Sequence, residues 1–393
     1  MPDIAQLRAD TPGCAHRNHL NNAGSALPPE AVLRSMQEYL LLEAQIGGYE
    51  AADMQQEALA GFYAALARFL NTQTRNVAFA NSATDAYAHA LSAIPFAAGD
   101  LILTTENDYV SNQIAFLSLQ KRWGIQLLRA ADTAEGGVDV ADMERLIRRH
   151  RPKLVAVTHV PTSSGLVQPV EAIGQICRQE GIWYLVDACQ SAGQLVLDVE
   201  RIGCDFLTAT LRKFLRGPRG AGFLYVSDRA LEAGLEMLLP DMYGATWLSP
   251  DEYASAPTAK RFEYFEMAPA LVLGSKAAIE YALSVGPDWI ADRVARLSDY
   301  TRQLLAALPG VQVLDRGRQC CGIVTAHCPA WDTHALLDYL WQRRINVRVS
   351  PPHVARFDFP KKGVEWVLRV SPHYYNTEQE IEEAVAAIGA FQP

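Results

Sequence analysis

Short apolar segments alternate with amphipathic helical patterns through the first half of this chain of 393 residues. The apolar segments are short enough to be buried strands and lie at 77–80, 101–104, 154–158 and 183–187. Helical patterns separate them, for example at 142–149 and 170–180. Strands that alternate with helices predict an α/β fold with a parallel sheet covered by helices. Ligands of such sheets bind at the carboxyl ends of the strands, so polar residues at those ends are candidate site residues.

The pattern changes in the last third of the chain, where two long helices at 270–285 and 288–307 precede short strands and a closing helix. Thr377 can cap the closing helix, and Glu380 lies three residues further on, which is the pattern of a capping box. This part of the chain predicts a smaller α+β domain. The predicted division is a large domain at 15–265 and a small domain formed by 1–14 together with 266–393.

The composition excludes several classes of function. The formal net charge is −9, and an acidic protein lacks the basic surface that nucleic acids require, so no nucleic-acid partner is expected. No apolar run approaches the roughly 20 residues that cross a bilayer, and the first residues contain no apolar signal segment, so no membrane partner is expected. Seven cysteines at irregular spacing, without a metal-binding CxxC pair, predict reduced thiols, no metal site and a cytoplasmic location.

An acidic residue, Asp187, ends the predicted strand at 183–187 and is followed by Ala-Cys-Gln. A carboxylate at this edge of a sheet can pair with a cation that is bound there. Acids at strand ends also cap the following helix. On its own, this residue favours neither role over the other.

The stretch from Asp205 to Gly222 contains a lysine after an apolar strand and then a turn rich in glycine. Lys213 has apolar neighbours, and a desolvated lysine has a lowered pKa that suits it to form a Schiff base. Thr210 and Arg212 can hydrogen-bond a phosphate, and the glycines allow the backbone to approach a ligand closely. The alternative is a basic loop that is simply solvated.

A third segment, from Phe79 to Tyr87, passes from a strand through small polar residues into a helix. Helix N-termini bind phosphate through free N–H groups and the helix dipole, and Ser82, Ala83 and Thr84 are the candidates here. The ordinary alternative is a helix cap. Together the three segments supply a phosphate site, an acid for a ring nitrogen and an amine, which are the groups that pyridoxal 5'-phosphate (PLP) needs.

The chain resembles the class V aminotransferase family, in the branch of fold-type I PLP enzymes that includes the cysteine desulfurases. The resemblance runs from 19–25 (His-Leu-Asn-Asn-Ala-Gly-Ser) to 369–377 (Arg-Val-Ser-Pro-His-Tyr-Tyr-Asn-Thr). It is most specific in the segment Asp187-Ala-Cys-Gln190 combined with Lys213. It implies a large domain with a mostly parallel sheet of the seven-stranded type, a smaller C-terminal α+β domain, PLP as cofactor, a small amino-acid substrate and a homodimer.

The resemblance also implies roles for individual residues. Lys213 matches the Schiff-base lysine, Asp187 the partner of the pyridine nitrogen, and Gln190 the residue that binds the 3'-oxygen of the ring. Tyr109 falls where an aromatic residue or a histidine stacks on the ring, and it is a candidate proton donor. Thr84, Thr210 and Arg212 match phosphate-binding positions of the family. Ser82, Ala83 and Thr162 are further candidates for cofactor contacts. Substrate contacts are implied for Arg369, which matches the arginine that binds the α-carboxylate, and as weaker candidates for Arg348 and Asn22.

Departures from the family pattern bear on the reaction. Cysteine desulfurases carry a nucleophilic cysteine on the loop after the strand that is predicted at 346–350, and no cysteine is present there. Because a persulfide mechanism needs a thiolate, desulfurase activity is disfavoured. Cys320 and Cys321 precede a different strand and are interpreted as structural.

Three further positions differ from the family. Arg212 stands where a histidine is common, and Pro161-Thr162 replaces the asparagine that follows the strand at 154–158. The segment 261–266 lacks the threonine that reaches the phosphate of the partner subunit. That contact between subunits is therefore not expected.

The segments 212–220 and 261–266 are most similar to the C–S lyase subgroup, which includes the hercynylcysteine sulfoxide lyases. We therefore expect a PLP-dependent β-lyase that cleaves a cysteine S-conjugate or sulfoxide to pyruvate, ammonia and a sulfur product. The alternatives are a class V aminotransferase, a racemase or epimerase, and a non-catalytic scaffold, against which the intact Lys213, Asp187 and Gln190 argue. Candidate specificity residues are Trp247, Tyr264, His353 and Arg356, whereas residues 373–375 are expected to complete the packing of the strand before them.

Overall fold

A computed structural model describes residues 2–392 of the chain. The strands are, in chain order, β1 (Asn18–His19), β2 (Val77–Ala80), β3 (Leu101–Thr105), β4 (Gln126–Ala130), β5 (Leu154–Thr158), β6 (Trp183–Asp187), β7 (Phe206–Thr210), β8 (Gly222–Val226), β9 (Ala245–Ser249), β10 (Glu252–Ser255), β11 (Gln312–Val313), β12 (Val324–His327), β13 (Ile345–Asn346), β14 (Arg348–Ser350) and β15 (Val367–Val370).

The α-helices are, in chain order, α1 (Ile4–Ala9), α2 (Glu30–Ile46), α3 (Gly48–Met54), α4 (Gln56–Leu70), α5 (Ala83–Ala93), α6 (Val110–Trp123), α7 (Val140–His150), α8 (Val170–Glu180), α9 (Val199–Ile202), α10 (Asp228–Glu232), α11 (Pro269–Val285), α12 (Pro287–Ala306), α13 (Thr333–Gln342), α14 (Asp358–Lys362) and α15 (Glu378–Ala390). Short 3-10 helices lie at Pro12–Ala15, Thr74–Asn76, Ala259–Phe262 and Pro352–Val354.

The main sheet has seven strands in the order β2-β8-β7-β6-β5-β3-β4. The five strands β7, β6, β5, β3 and β4 are parallel to one another. Strand β8 runs antiparallel to both β2 and β7. The predicted strands at 77–80, 154–158 and 183–187 have these bounds in the structure, and the strand at 101–104 extends to Thr105. The predicted mostly parallel α/β sheet is confirmed.

Alternate residues of the central strands face two different hydrophobic cores. Val155 and Val157 of β5 pack into one core, together with residues of α4, α7 and α8. Leu154 and Ala156 pack into the other core, together with residues of α5. Because both faces are covered, β5 to β8 are apolar and almost completely buried along their length rather than alternating between polar and apolar residues.

A second, antiparallel sheet has the strand order β11-β12-β15-β14 and packs with α12, α13 and α15 around a third core. The predicted closing helix is confirmed, because Thr377 and Glu380 form the expected capping box. The strand predicted at 346–350 is split in two. Its first part, β13, pairs with β1, whereas β14 pairs with β15.

The division into domains at residue 265 remains a prediction. Helix α11 follows this boundary, yet its Val272 and Ile279 pack into the first core of the main sheet. Leu7, from the N-terminal segment assigned to the small domain, packs there as well. The core of the main sheet therefore extends across both predicted boundaries.

Three further properties concern the described residues as a whole. None of the helices between residues 2 and 392 is both long enough and apolar enough to cross a membrane. In the same range no group of His, Cys, Asp and Glu side chains is arranged to hold a metal ion. All seven cysteines are free thiols.

Candidate active site

The carboxyl ends of β5, β6 and β7 and the first turns of α5 and α6 surround a cavity of about 170 Å³. Each residue that the sequence singles out for the cofactor lines this cavity, namely Ser82, Ala83, Thr84, Tyr109, Thr162, Asp187, Gln190, Thr210, Arg212 and Lys213. Its wall also contains Gly220, one of the glycines predicted to let the backbone approach a ligand. The residues that the sequence did not single out are Thr158, Val160, Cys189, Arg219 and Ala221.

Lys213 lies in the turn after β7, and its side chain is buried, with 7% of the residue exposed. Its Nζ lies 6.0 Å from the centroid of the Tyr109 ring. Burial lowers the pKa of the Lys213 amine, and the nearby cations Arg212 and Arg369 lower it further. Cys189 and Asp187 act in the opposite direction. A lowered pKa increases the fraction of neutral amine, which is the form that acts as a nucleophile or base.

Asp187 is the last residue of β6 and is almost completely buried. Its Oδ1 accepts a hydrogen bond from the backbone N–H of Cys189 at 2.9 Å, and its Oδ2 accepts one from Nδ2 of Asn112 at 3.1 Å. Each oxygen is thus held by a neutral donor, and no lysine, arginine or histidine among residues 2–392 forms a salt bridge with the carboxylate. The carboxylate can therefore pair with a cation on a ligand in the cavity.

The N-terminus of α5 forms one wall of the cavity. Ser82 caps this helix, because its hydroxyl accepts a hydrogen bond from the backbone N–H of Asp85 at 3.1 Å. Gly222 of β8 packs against this turn so closely that a Cβ atom would lie 2.7 Å from the Ala83 nitrogen. Arg212 and Arg219 add two cations to the cavity wall. A helix N-terminus with two arginines beside it is suited to a phosphate group.

Gln190 and Thr162 are joined across the cavity wall. Nε2 of Gln190 donates to the Thr162 hydroxyl at 3.2 Å and to the Ala23 carbonyl at 3.0 Å. Oε1 of Gln190 is buried and has no hydrogen-bond partner within the described part of the chain. Buried polar atoms are rarely left unpaired, so this oxygen indicates a place for a polar ligand group.

Arg369 extends from β15 of the second sheet, and only 5% of the residue is exposed. Its guanidinium donates to the Thr162 carbonyl at 3.0 Å and to Oδ1 of Asn21 at 3.2 Å, and its Nε is buried without a partner within residues 2–392. Burial lowers the pKa of Arg369 to about 10, with further lowering by Arg348 and Arg212. A buried guanidinium without a carboxylate partner is suited to bind the carboxylate of a ligand.

The substrate contact of Asn22 stays a prediction, and the structure shows how this residue is held. Asn22 is completely buried, and its amide donates to the backbone carbonyls of His19 and Ser371 while accepting a hydrogen bond from the Tyr375 hydroxyl. These bonds occupy its polar atoms in the packing of the N-terminal segment. The preceding residue, Asn21, is the one that contacts Arg369.

Several other candidates lie outside the cavity wall. Arg348 is exposed on β14, directly opposite Arg369 in the strand register. Trp247 is exposed on β9, and Tyr264 packs edge-on against His89 with ring centroids 4.8 Å apart. His353 and Arg356 lie in the segment 351–364, between β14 and β15, and do not line the cavity. The residues at 373–375 are buried, as the sequence predicts.

The sequence analysis missed a polar cluster behind Asp187. Asn112 of α6 contacts Asp187, and the same amide lies 3.2 Å from both Asp108 and Thr158. Asp108 and Asn112 flank Tyr109, the one residue of their segment that the sequence analysis singled out. The available signal was the dense run of polar residues after β3 (Glu-Asn-Asp-Tyr-Val-Ser-Asn at 106–112), at the edge of the sheet where ligands bind.

The fold and the cavity define a class of protein. A mostly parallel sheet carries at its ligand edge a buried lysine, a buried carboxylate and a basic helix N-terminus, the arrangement expected of a fold-type I PLP enzyme. The chain belongs to the class-V aminotransferase family, whose model matches residues 18–384. It is therefore a PLP-dependent enzyme that acts on amino acids.

Three relatives illustrate the similarity. A probable cysteine desulfurase of Pyrococcus abyssi is 28% identical over 96% of this chain and 94% of its own. A probable hercynylcysteine sulfoxide lyase of Mycobacterium tuberculosis is 27% identical over 95% of this chain and 89% of its own. The apo structure of a cysteine desulfurase from Thermococcus onnurineus matches with a TM-score of 0.90 at 26% identity, covering 99% of this chain and 98% of that one.

The residues in the cavity fit PLP. The unpaired Oε1 of Gln190 and the buried amine of Lys213 leave polar atoms available to a bound group. Ser82, Ala83 and Thr84 bring the N-terminus of α5 into the cavity wall. Arg212 and Arg219 supply positive charge for a phosphate. Asp187 supplies a carboxylate for a ring nitrogen.

Proposed function

We propose that this enzyme is a C–S β-lyase that cleaves a cysteine S-conjugate or a cysteine sulfoxide to pyruvate, ammonia and a sulfur product. The observation that carries the proposal is the segment 351–364, which contains no cysteine. Desulfurases use a thiolate in this part of the chain to take the sulfur atom from cysteine. Without that nucleophile, the sulfur leaves together with its own substituent.

One cysteine does line the cavity, but its surroundings oppose a nucleophilic role. Burial raises the pKa of the Cys189 thiol, and the neighbouring Asp187 raises it further. Cys320 and Cys321 do not line the cavity, and burial raises the pKa of both thiols. A nucleophilic cysteine needs an environment that favours the thiolate, which none of the three has.

The names of the relatives point in two directions. Cysteine desulfurase is the more frequent name, whereas one relative is named a probable sulfoxide lyase. Both reactions break the bond between the β-carbon and the sulfur of an amino acid that is held by the same cofactor. The two reactions differ in whether a thiol of the protein takes the sulfur, so the absence of a cysteine at 351–364 outweighs the frequency of a name.

The proposed chemistry begins with binding and deprotonation. PLP, when bound, withdraws electrons from the α-carbon of an amino acid that is linked to it. Arg369 binds the α-carboxylate through its guanidinium and so fixes the orientation of the substrate. Lys213, whose amine is desolvated, then accepts the α-proton at Nζ as the general base.

The remaining residues support departure of the sulfur group. Asp187 keeps a proton on the ring nitrogen, which favours electron withdrawal, and Asn112 holds the carboxylate in place. The C–S bond breaks with its electron pair on sulfur, and Tyr109 is the candidate donor of a proton to that sulfur. Water then releases the three remaining carbons and the nitrogen as pyruvate and ammonium.

The proposal is tested with purified enzyme loaded with PLP and incubated separately with cysteine in the presence of a thiol reductant, with cystine, with a cysteine S-conjugate and with a cysteine sulfoxide. We expect pyruvate, detected with lactate dehydrogenase, and ammonia in equal amounts. Alanine together with sulfide, and no pyruvate, would establish a desulfurase instead. Conversion of the cofactor to its pyridoxamine form without ammonia would establish an aminotransferase, and interconversion of enantiomers without loss of amino acid would establish a racemase or epimerase.

We also propose that the enzyme is a homodimer. Apolar side chains on α2 and α3 are exposed in the single chain, including Leu40, Leu41, Tyr49 and Met54 at 53%, 63%, 75% and 68%. Clustered apolar exposure of this kind marks interaction surfaces. Light scattering coupled to size-exclusion chromatography tests this directly, and a monomer at micromolar concentration would contradict it.

A further inference from the structure

A second carboxylate, Asp108, lies behind Asp187 and is separated from it by a single amide group. Nδ2 of Asn112 lies 3.1 Å from Oδ2 of Asp187 and 3.2 Å from Oδ1 of Asp108. Asp108 immediately precedes Tyr109, and Asn112 lies in the first turn of α6. The loop after β3 thus places an acid, an aromatic ring and an amide within five consecutive residues beside the cavity.

Asp108 is surrounded by hydrogen-bond donors. Its Oδ1 accepts from the backbone N–H of Tyr109 at 2.7 Å and from the hydroxyl of Thr158. Its Oδ2 accepts from Nε2 of Gln113 at 2.7 Å and from the hydroxyl of Thr104 at 3.3 Å. Burial raises the pKa of the Asp108 carboxyl, but the hydrogen bonds that the surrounding groups donate to its oxygens oppose that shift and favour the ionised form.

The two carboxylates determine the orientation of the Asn112 amide. Both Asp108 and Asp187 are acceptors, so the NH2 group of Asn112 must face them and its carbonyl must point away. With only Asp187 as partner, the amide could rotate and leave one carboxylate oxygen unpaired. Asp108 therefore fixes a donor against Asp187.

Within the described residues, no cationic side chain forms a salt bridge with Asp108. Arg129 lies close enough to interact electrostatically with Asp108, but its guanidinium contacts Oε1 of Gln113 at 2.7 Å. Tyr87 lies close to both Asp108 and Asp187, and burial raises the pKa of its hydroxyl, so it stays neutral. Glu106 contacts Lys361. The negative charge of Asp108 therefore acts on the cavity through Asn112 and Asp187 without direct neutralisation.

We propose that Asp108 is a positioning residue that holds Asn112 against Asp187 and adds negative charge on the side of the cavity where the cofactor ring nitrogen binds. This inference rests on the proposed role of Asp187 as partner of that nitrogen. Asp108 keeps the nitrogen protonated over a wider pH range than Asp187 alone would. The same carboxylate positions the Tyr109 backbone, so it couples the ring-stacking residue to the ring-nitrogen partner.

The test uses the enzyme reconstituted with PLP labelled with ¹⁵N in its ring, whose NMR chemical shift reports protonation of that nitrogen. In Asp108→Asn we expect the protonation equilibrium of the ring nitrogen to move about tenfold toward the neutral form. A shift of this size is typical of the loss of one nearby charge in a protein. Asp108→Glu keeps the charge and should recover much of the wild-type signal. Asp292→Asn removes an exposed carboxylate on α12 and should match the wild type.

A folded Asp108→Asn enzyme with the wild-type ¹⁵N shift would overturn the inference. If that variant does not fold, Asn112→Ala supplies the test, since it removes the bridging amide and leaves Asp108 in place. It should move the nitrogen signal in the same direction, and an unchanged signal would also overturn the inference. A neutral ring nitrogen in the wild type, by contrast, would contradict the proposed role of Asp187 itself.

Discussion

Nη1 of Arg369 donates a hydrogen bond to the backbone carbonyl of Thr162 at 3.0 Å. This bond joins the second sheet to the loop after β5 of the main sheet. The Thr162 hydroxyl meanwhile accepts a hydrogen bond from Gln190 at 3.2 Å. Thr162 thus contacts both Arg369, the candidate for binding the substrate carboxylate, and Gln190, a candidate for binding the cofactor ring. The relative position of the two sheets therefore bears on catalysis.

Replacement of Arg369 by lysine should weaken substrate binding. An ammonium cannot form the two parallel hydrogen bonds of a guanidinium, so we expect a loss of about 2 kcal/mol, or roughly thirtyfold in kcat/KM, mainly through KM. Steady-state pyruvate formation measures it. Arg318→Lys, at a side chain that is 90% exposed, is the matched control and should be unchanged. An unaltered KM in Arg369→Lys would mean that a group other than Arg369 binds the α-carboxylate of the substrate.

Replacement of Lys213 by alanine should abolish turnover and the covalent attachment of the cofactor. Loss of a general base costs about 1000-fold in rate, and loss of the amine removes the attachment point altogether. Borohydride reduction followed by mass spectrometry detects the attachment. Lys276→Ala, on α11, removes a surface lysine that pairs with Glu280 and should retain both properties. Retention of a reducible cofactor adduct in Lys213→Ala would refute the assignment.

A methyl group at Gly222 should disturb the phosphate end of the cavity. The added Cβ would lie 2.7 Å from the Ala83 nitrogen and 2.9 Å from the Ala209 carbonyl oxygen, so the α5 N-terminus must shift. We expect Gly222→Ala to lose about 1–3 kcal/mol of unfolding free energy and to bind PLP more weakly. Gly48→Ala, in a helix with no atom closer than 3.9 Å, should be neutral or slightly stabilising. Denaturant unfolding and a PLP titration decide between these outcomes.

Glu263 should make stability depend on pH. Burial raises its pKa from 4.5 to about 7, while Phe79 N–H and the Tyr63 hydroxyl donate to its carboxylate. Because the folded pKa lies above the unfolded value, the stabilisation by the bound proton is complete below pH 4.5 and is lost as the pH rises through about 7. In Glu263→Gln this loss should disappear.

The measurement compares thermal unfolding of the wild type and Glu263→Gln at about pH 5 and pH 8. The wild type should lose on the order of 2–3 kcal/mol relative to the variant between these values. Glu57→Gln, at an exposed position on α4, controls for the loss of one carboxyl group. Parallel pH dependence in wild type and Glu263→Gln would contradict the raised pKa.

Much of the fold follows from local patterns in the sequence. The strands at 77–80, 154–158 and 183–187 and the helix at 170–180 are defined by runs and periods of apolar residues, and they have these bounds in the structure. Strand β8 and the exposed hairpin of β9 and β10 were not predicted, because β8 lies beside a glycine-rich turn and the hairpin buries little apolar surface.

The sequence by itself determined the sheet, its ligand edge and the residue types that gather there, since burial and backbone periodicity act on neighbouring residues. Only the tertiary structure decided which polar atoms are free. Asn22 donates to the carbonyl of Ser371, whereas Asn21 accepts from Arg369. Asn112 connects Asp108 in its own segment with Asp187 on a different strand. Hydrogen bonds of this kind join residues far apart in the chain, so their partners depend on how the sheets and helices pack.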